Sequence, residues 1–254
     1  MAALFGFSIF KSLLAFTGLG LIFFLVGYFV LYILAQRKDY NQTIPIGAFI
    51  GTVATAWALA LGFVAADIWA NSAKAEQATI DERSAIERLI GIAGSPEINA
   101  VEMRKALLLY RKAVMDDEWT KNINLRPATS VEAALQTIRD NILALGKSDI
   151  AAPIVAHVLN DFDILQDARN TRLAVGRTSI DAYKWYLVLI LTAMTIITIA
   201  ATHADRRRAG NTALTIFSCS ATLCLWILAI HANPYQGLEK LEPTLLLNEA
   251  STNQ

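Results

Sequence analysis

The stretch IGAFIGTVATAWALALGFVAADIWANSAKAEQATIDERSAIE, residues 46–87, decides the fold because it joins an apolar half to a charged half. Residues 63–90 contain neither proline nor glycine, the two residues that most readily interrupt a helix. The apolar half is long enough to cross a bilayer. We therefore predict one continuous helix that begins as a membrane span and continues into a soluble module.

One face of this predicted helix carries the candidate functional residues. Thr55, Leu59, Phe63 and Asp67 follow one another at intervals of four residues, which places them along one side of a helix. Asp67 stands out because an ionisable side chain in or at the edge of a span is costly and is a functional candidate by default. An ordinary helix-packing face and an ordinary interfacial acid remain the alternatives.

Four apolar runs set the fold class. They cover residues 13–35, 46–66, 185–202 and 212–232, each close to the roughly 20 residues that a membrane helix needs. The chain is therefore predicted to be an all-α membrane protein with four transmembrane helices and a helical soluble module between the second and the third. The predicted domains are a first transmembrane hairpin, the module, a second transmembrane hairpin and a polar C-terminal tail: residues 1–70, 71–181, 182–233 and 234–254.

The soluble module is predicted to contain helices only. Ser95-Pro96-Glu97 has the cap, the proline and the acid of a helix start, and that helix is expected to run to about Lys121. One stripe of it would carry four apolar residues: Val101, Leu108, Met115 and Trp119. Thr129-Ser130-Val131-Glu132 matches a capping box and predicts the start of the next helix.

The sequence lacks the signatures of catalysis, cofactor binding and metal binding. It contains no metalloprotease motif, no nucleophile elbow, no P-loop and no glycine-rich dinucleotide motif. Cys219 and Cys224 are five residues apart on one predicted helix and therefore cannot pair. The three histidines have no zinc-ligand spacing: His157, His203 and His231. We predict that the protein is not an enzyme and has no cofactor.

Two charged runs have a functional and an ordinary interpretation. Asp116-Asp117-Glu118 offers carboxylates to a cation, but a solvated helix face is the favoured interpretation. The basic run at residues 206–208 would suit nucleic acid, yet beside a membrane span it indicates topology and contact with lipid headgroups. We therefore expect the lipid bilayer, and no nucleic acid, among the partners.

Four groups of residues resemble the bacterial bestrophin-like family, whose members are similar to bestrophin channels. These groups are Leu61-Gly62-Phe63 followed by Trp69, the acid-containing Ile80-Asp81-Glu82-Arg83-Ser84-Ala85, Tyr110 with Glu118-Trp119, and Asn233-Pro234-Tyr235-Gln236-Gly237. No single group is very specific, but their order and spacing together are. The resemblance covers nearly the whole chain, from about residue 47 to residue 246.

The resemblance implies a homo-oligomer, preferably a pentamer, around a central pore lined by the second helix. Thr55, Leu59 and Phe63 correspond to the hydrophobic neck of bestrophins and would form the constriction. Asp67 would add a charge-selecting ring that favours cations among inorganic ions. The acidic calcium-binding pattern of animal bestrophins has no clear counterpart. The alternative is a non-conducting membrane scaffold or envelope sensor whose helical module binds a partner.

The predicted location is the bacterial inner (plasma) membrane, which the chain would cross several times. Two spans before the module and two after it place both termini and the module on one side. The short loops contain five basic residues against two acids, at positions 37–39 and 205–208. The positive-inside rule therefore places these loops in the cytoplasm and the module outside, whereas the resemblance implies a cytoplasmic module.

Overall fold

A computed structural model describes residues 9–36, 47–96, 98–177, 182–236 and 240–247, and all regular elements in these ranges are helical. The α-helices are α1 (Ile9–Leu34), α2 (Gly47–Ala93), α3 (Val101–Ala113), α4 (Thr129–Leu145), α5 (Ala152–Arg177), α6 (Ala182–Thr202) and α7 (Arg207–Ile230). A π-helical segment, Val114–Lys121, continues α3, and Pro243–Leu246 forms a 3₁₀ turn. The all-α prediction is confirmed. The loop around Arg37 and Lys38 lies outside the described residues.

Helix α2 is continuous over 47 residues, as the absence of helix breakers predicted. It ends where glycine begins to recur in the sequence, at Gly91 and Gly94. The amide of Gly94 still donates to the carbonyl of Ile90 at 3.0 Å, and the amide of Ser95 then closes a tighter turn on the carbonyl of Ile92 at 3.1 Å. Its first half belongs to one compact unit, Met1–Ala70 with Ser179–Asn233, and its second half to another, Asn71–Thr178 with Pro234–Gln254.

The first unit contains the helices that are long and apolar enough to cross a membrane, four in the described part of the chain. Within it, α1 packs against α6 and α7. Gly27 permits one close approach, because a Cβ atom there would lie 2.6 Å from Ile196 Cγ2 and 2.8 Å from Leu214 Cδ2. Small residues are used in this way in membrane bundles, where helix association depends on close packing.

The second unit is a helical bundle around its own hydrophobic core. The core takes residues from α2, α3, α4 and α5 and also holds Tyr235 and Leu246 from the C-terminal segment. The stripe predicted on α3 is wrong in part, because Val101 and Leu108 are exposed while Met103, Leu107 and Tyr110 are buried.

The start predicted for α3 at Ser95 is also wrong. The amides of Ile98 and Asn99 donate to the carbonyl of Ser95, at 3.2 and 2.8 Å, and close a turn instead. Asn99 has a φ of +39°, a left-handed conformation that no helix interior tolerates. The helix therefore begins only at Val101.

The capping box predicted at Thr129 does not form, although α4 does begin there. The side chains at this end make no capping bond to the first turn. Instead, Glu118 Oε1 accepts a hydrogen bond from the amide of Ala128 at 3.1 Å. Glu132, the residue expected to complete the box, binds Arg169 at 2.9 Å. The carboxylate that serves this helix start therefore comes from a different segment, which a local pattern cannot reveal.

Candidate functional site

The membrane half of α2 has a packed side and an uncovered side within the first unit. Ala60, Val64 and Ile68 are buried in a cluster with residues of α1, α6 and α7. Trp57 strengthens the same side by donating from Nε1 to Thr192 Oγ1 at 2.9 Å. Helix geometry then turns the Thr55–Leu59–Phe63 line to the other side of the helix.

The Thr55–Leu59–Phe63 line is uncovered by its own chain. Leu59 is 58% exposed and Phe63 is 69% exposed. The Thr55 hydroxyl donates to the carbonyl of Gly51 at 2.8 Å. Its proton is therefore satisfied within the helix, while its oxygen remains exposed.

A small-residue ridge, Ala58, Gly62 and Ala66, lies beside this line and is exposed as well. A Cβ atom at Gly62 would meet nothing within 4 Å. Small residues in a membrane helix serve close helix contacts, yet all three residues of this ridge are exposed among the described residues. The side of α2 that carries both the ridge and the line is therefore available to something outside the chain.

Asp67, at the far end of the line, forms an ion pair with Lys184 of α6. The two side chains are 40% and 46% exposed. The carboxylate therefore faces an accessible region but has a cationic neighbour that balances its charge. The sequence does not reveal Lys184 as the partner of Asp67, because the two residues are 117 positions apart.

The second unit holds a buried network of charged and polar side chains. Glu82, Arg172, Glu118, Arg169, Asn124 and Tyr110 are all at least 96% buried. They come from α2, α3, the π-helical segment, the following loop and α5. The two carboxylates and two guanidinium groups cancel in formal charge. Such a cluster is tolerated in an apolar core only when its members are paired.

Arg172 connects the two carboxylates of the network. Its Nε donates to Glu82 Oε2 at 2.6 Å and its Nη2 to Glu118 Oε2 at 2.8 Å. Tyr110 donates its hydroxyl proton to Glu82 Oε1 at 2.7 Å. Burial opposes the charged form of Arg172, but both carboxylates outweigh it and raise the pKa of its guanidinium. Arg172 thus ties α2, α5 and the π-helical segment together.

Glu118 accepts hydrogen bonds from three residues. Arg169 Nη2 lies 2.5 Å from its Oε1, Arg172 binds Oε2, and the amide of Ala128 adds a backbone donor. Burial alone would raise the pKa of Glu118, but hydrogen bonds and charge from the two arginines outweigh burial and lower it. Glu118 is therefore an anion held by cations.

The loop after the π-helical segment completes this network under tight steric constraints. Ile123 and Asn124 both have positive φ, +52° and +54°. The amide of Asn124 donates to the carbonyl of Glu118 at 2.7 Å, and its side-chain oxygen accepts from Arg172. Gly176 of α5 is needed here, because a Cβ atom would lie 2.2 Å from the carbonyl oxygen of Asn124.

Aromatic side chains cover one side of the network. The Arg172 guanidinium lies 5.5 Å from the centre of the Trp119 ring, a cation–π distance. Trp119 meets Tyr235 edge to face at 5.4 Å between ring centres and donates to the carbonyl of Leu241 at 3.1 Å. Burial raises the pKa of Tyr110 and of Tyr235, so both phenols are neutral. The C-terminal segment thus packs against the same charged centre.

The acidic run at residues 116–118 is not a cation site. Glu118 points into the core, Asp117 bonds to Lys121 and Ser130 at 2.5 Å each, and Asp116 is exposed. A wholly solvated face is equally wrong for this run, because Glu118 is fully buried. Among the described residues, no group of three or more histidine, cysteine or acidic side chains is placed to hold a metal ion.

The buried network unites residues that the sequence separates widely: Glu82, Tyr110, Glu118, Trp119 and Tyr235 belong to three of the four groups that carry the family resemblance. A sequence profile of the Bestrophin-like domain matches residues 14–246. The chain belongs to the bestrophin-like family. No curated protein matches it at a significant level.

Solved structures share the bestrophin-like fold of this chain. One is a bacterial bestrophin homolog from Klebsiella pneumoniae with a point mutation, with a TM-score of 0.62, 13% identity and coverage of 92% of this chain and 98% of that chain. A second, a membrane protein carrying a point substitution, has a TM-score of 0.64, 12% identity and coverage of 92% and 96%. At such low identity, the agreement concerns the fold.

Proposed function

We propose that this bestrophin-like protein is an oligomeric ion channel of the bacterial inner membrane, preferably a pentamer, whose pore is lined by the membrane half of α2. The observation that most supports this proposal is the exposed Thr55–Leu59–Phe63 line opposite the packed side of the same helix. In a ring of identical copies around an axis, each residue of this line repeats at one height. Family membership supports the proposal.

The constriction is proposed at Leu59 and Phe63. Both side chains are large and apolar, and more than half of each is exposed. Rings of such side chains narrow a pore and can stop ions by dewetting. Thr55 is smaller and presents oxygen lone pairs, so its ring would be wider and wetter than the two rings that follow it.

A cation preference is proposed to come from Asp67. Repeated copies of this carboxylate at one end of the line would attract cations and repel anions. The bonded Lys184 counteracts this effect, because it returns a positive charge to the same place. The expected preference is therefore weak, and removing either partner should move it in a defined direction.

The alternative is a non-conducting scaffold in which the uncovered side of α2 contacts another protein. The two functions differ in what faces this side, because a channel needs water there and a scaffold needs packed side chains. Conduction by the purified protein separates them.

The first experiment reconstitutes the purified protein in planar bilayers and measures its oligomer mass in detergent. An oligomer and a current are expected. Phe63→Ala should raise the conductance by widening the constriction, while Phe29→Ala should not change it, since Phe29 is an equally exposed aromatic residue on α1. A monomeric mass, or no current from folded protein, contradicts the channel. A current that Phe63→Ala leaves unchanged contradicts this pore line.

A further inference from the structure

The outer surface of α3 in the second unit is both basic and apolar. Leu108 is 41% exposed and Leu109 is 59% exposed. Four basic side chains share this surface: Arg104, Lys105, Arg111 and Lys112. Lys105 pairs with Glu102 at 2.8 Å. The side chains of Arg104, Arg111 and Lys112 have no ion-pair partner in the described part of the chain. We call this surface the basic face.

The outer surface of α5 has the opposite character. Leu159, Asp163 and Asp167 follow one another at intervals of four residues on one exposed stripe. No lysine or arginine occurs between residues 152 and 168. Within the ranges that the structure describes, neither aspartate forms an ion pair. We call this surface the acidic face.

The two faces lie on different helices of the same bundle. Helix α2 contacts α3 through Tyr110–Glu82 and α5 through Arg88–Asp161 at 2.8 Å. Helix α4 likewise contacts both α3 and α5. Helices α3 and α5 therefore belong to one bundle, and the leucines and charged side chains of both faces lie on its exposed outside. Each face is thus available to a second copy.

We propose that the basic face of one copy docks against the acidic face of the next copy, with the exposed leucines at the centre of the contact. This proposal rests on the oligomer of the proposed function and names the surfaces that build it in the soluble unit. Such a contact is heterologous, and repetition of it closes a ring when the rotation between neighbouring copies divides a full turn. A contact between two identical faces would oppose like charges, which costs several kcal/mol.

A lipid surface is the competing occupant of the basic face, since exposed leucines among lysines and arginines also suit anionic headgroups. Lipid leaves the acidic face unexplained, because anionic headgroups repel Asp163 and Asp167. A second copy accounts for both faces with one contact. The charge pattern therefore favours the second copy.

Crosslinking tests the contact directly. In a chain with Cys219→Ala and Cys224→Ala, Leu108→Cys and Leu159→Cys together should give, with a short bismaleimide, a ladder of covalent species up to the full oligomer. Each cysteine alone should stay monomeric. Dimers from a single variant would show that like faces meet and would overturn the proposal, as would an absent ladder from a protein whose mass is oligomeric.

A second experiment reverses charges in the same double-cysteine protein, Leu108→Cys with Leu159→Cys. Asp163→Lys with Asp167→Lys should lower the ladder yield about tenfold, and adding Arg104→Glu with Lys112→Glu should restore it. Asp140→Lys is the control, because Asp140 is an exposed acid on α4. The proposal is overturned if charge reversal leaves the ladder yield unchanged. It is also overturned if reversal of the basic face abolishes binding to phosphatidylglycerol vesicles without changing the ladder.

The result is separable from conduction. A full ladder of crosslinked species without current in bilayers supports the proposed contact and contradicts the proposed channel. Current from an oligomer that gives no ladder supports the channel and contradicts the contact.

Discussion

At the scale of the residue, Arg172 explains why the second unit tolerates two fully buried glutamates. It donates to Glu82 and to Glu118 and stacks near Trp119. An arginine suits this position because its planar group offers several donors in fixed directions, which a lysine does not. Removing one partner of such a buried set leaves charges without compensation.

Arg172→Met is therefore expected to lower the free energy of unfolding by about 3–5 kcal/mol. Lys240→Met, which removes an exposed ion pair with Glu242, should cost less than about 1 kcal/mol. The measurement is chaotrope unfolding of the detergent-solubilised protein, followed by tryptophan fluorescence, because Trp119 lies beside Arg172. Equal stability of the two variants would show that the network is dispensable.

Glu118 makes the same network sensitive to acid. Its pKa is lower in the folded protein than in the unfolded chain. Its pairing therefore stabilises the fold at pH values above the ordinary glutamate pKa, about 4.3, and the stabilisation is lost as the pH falls through the folded pKa. Glu118→Gln should be less stable than wild type at pH 7 and should lose less stability as the pH falls from 7 to below the ordinary glutamate pKa of about 4.3. Parallel pH profiles would contradict this assignment.

At the scale of the element, the sequence predicts the helices well and their side-chain neighbours poorly. The continuity of α2 follows from the lack of proline and glycine over residues 63–90. The partners of Glu118 could not be predicted, because they lie 51 and 54 residues away. A signal was present, since Arg169 and Arg172 fall on the same side of α5 as Leu165, at intervals of four and seven. Charged residues on an apolar stripe indicate a buried network.

The contact of α1 with α6 and α7 should depend on Gly27. Gly27→Ala is expected to destabilise the folded protein by about 1–3 kcal/mol, because the added methyl group overpacks a filled site against Ile196 and Leu214. Gly18→Ala is the matched control on the same helix, because its Cβ atom would meet nothing within 4 Å. The melting temperature in detergent measures the stability of both variants. A larger loss for Gly18→Ala would show that the packing of α1 is misassigned.

At the scale of the whole molecule, family, fold and membrane character agree, while the proposed site of conduction depends on one side of one helix. Thr55, Leu59, Phe63 and Asp67 could be selected from spacing alone, and the structure places the first three on the uncovered side of α2. The pairing of Asp67 with Lys184 could not be predicted from spacing, because it depends on how α2 packs near α6. Selectivity therefore has to be tested on the pair.

Membrane orientation is a separate prediction for the whole chain. The basic residues of the short loops should hold those loops in the cytoplasm and place both termini and the module outside. Alkaline phosphatase, which is active only outside the inner membrane, should be active when fused after Gln254. A fluorescent protein that folds only in the cytoplasm should stay dark at the same position. The reverse result would favour a cytoplasmic module, as the family resemblance implies.

The reversal potential across a potassium chloride gradient tests the pore assignment most directly, because only charges along the ion path change selectivity strongly. Wild type should show a weak preference for potassium. Asp67→Asn removes the negative member of the pair and should shift the reversal potential towards that of chloride, whereas Lys184→Gln removes the positive member and should shift it towards that of potassium. If all three proteins conduct with one reversal potential, Asp67 does not face the ion path and α2 does not line the pore in this way.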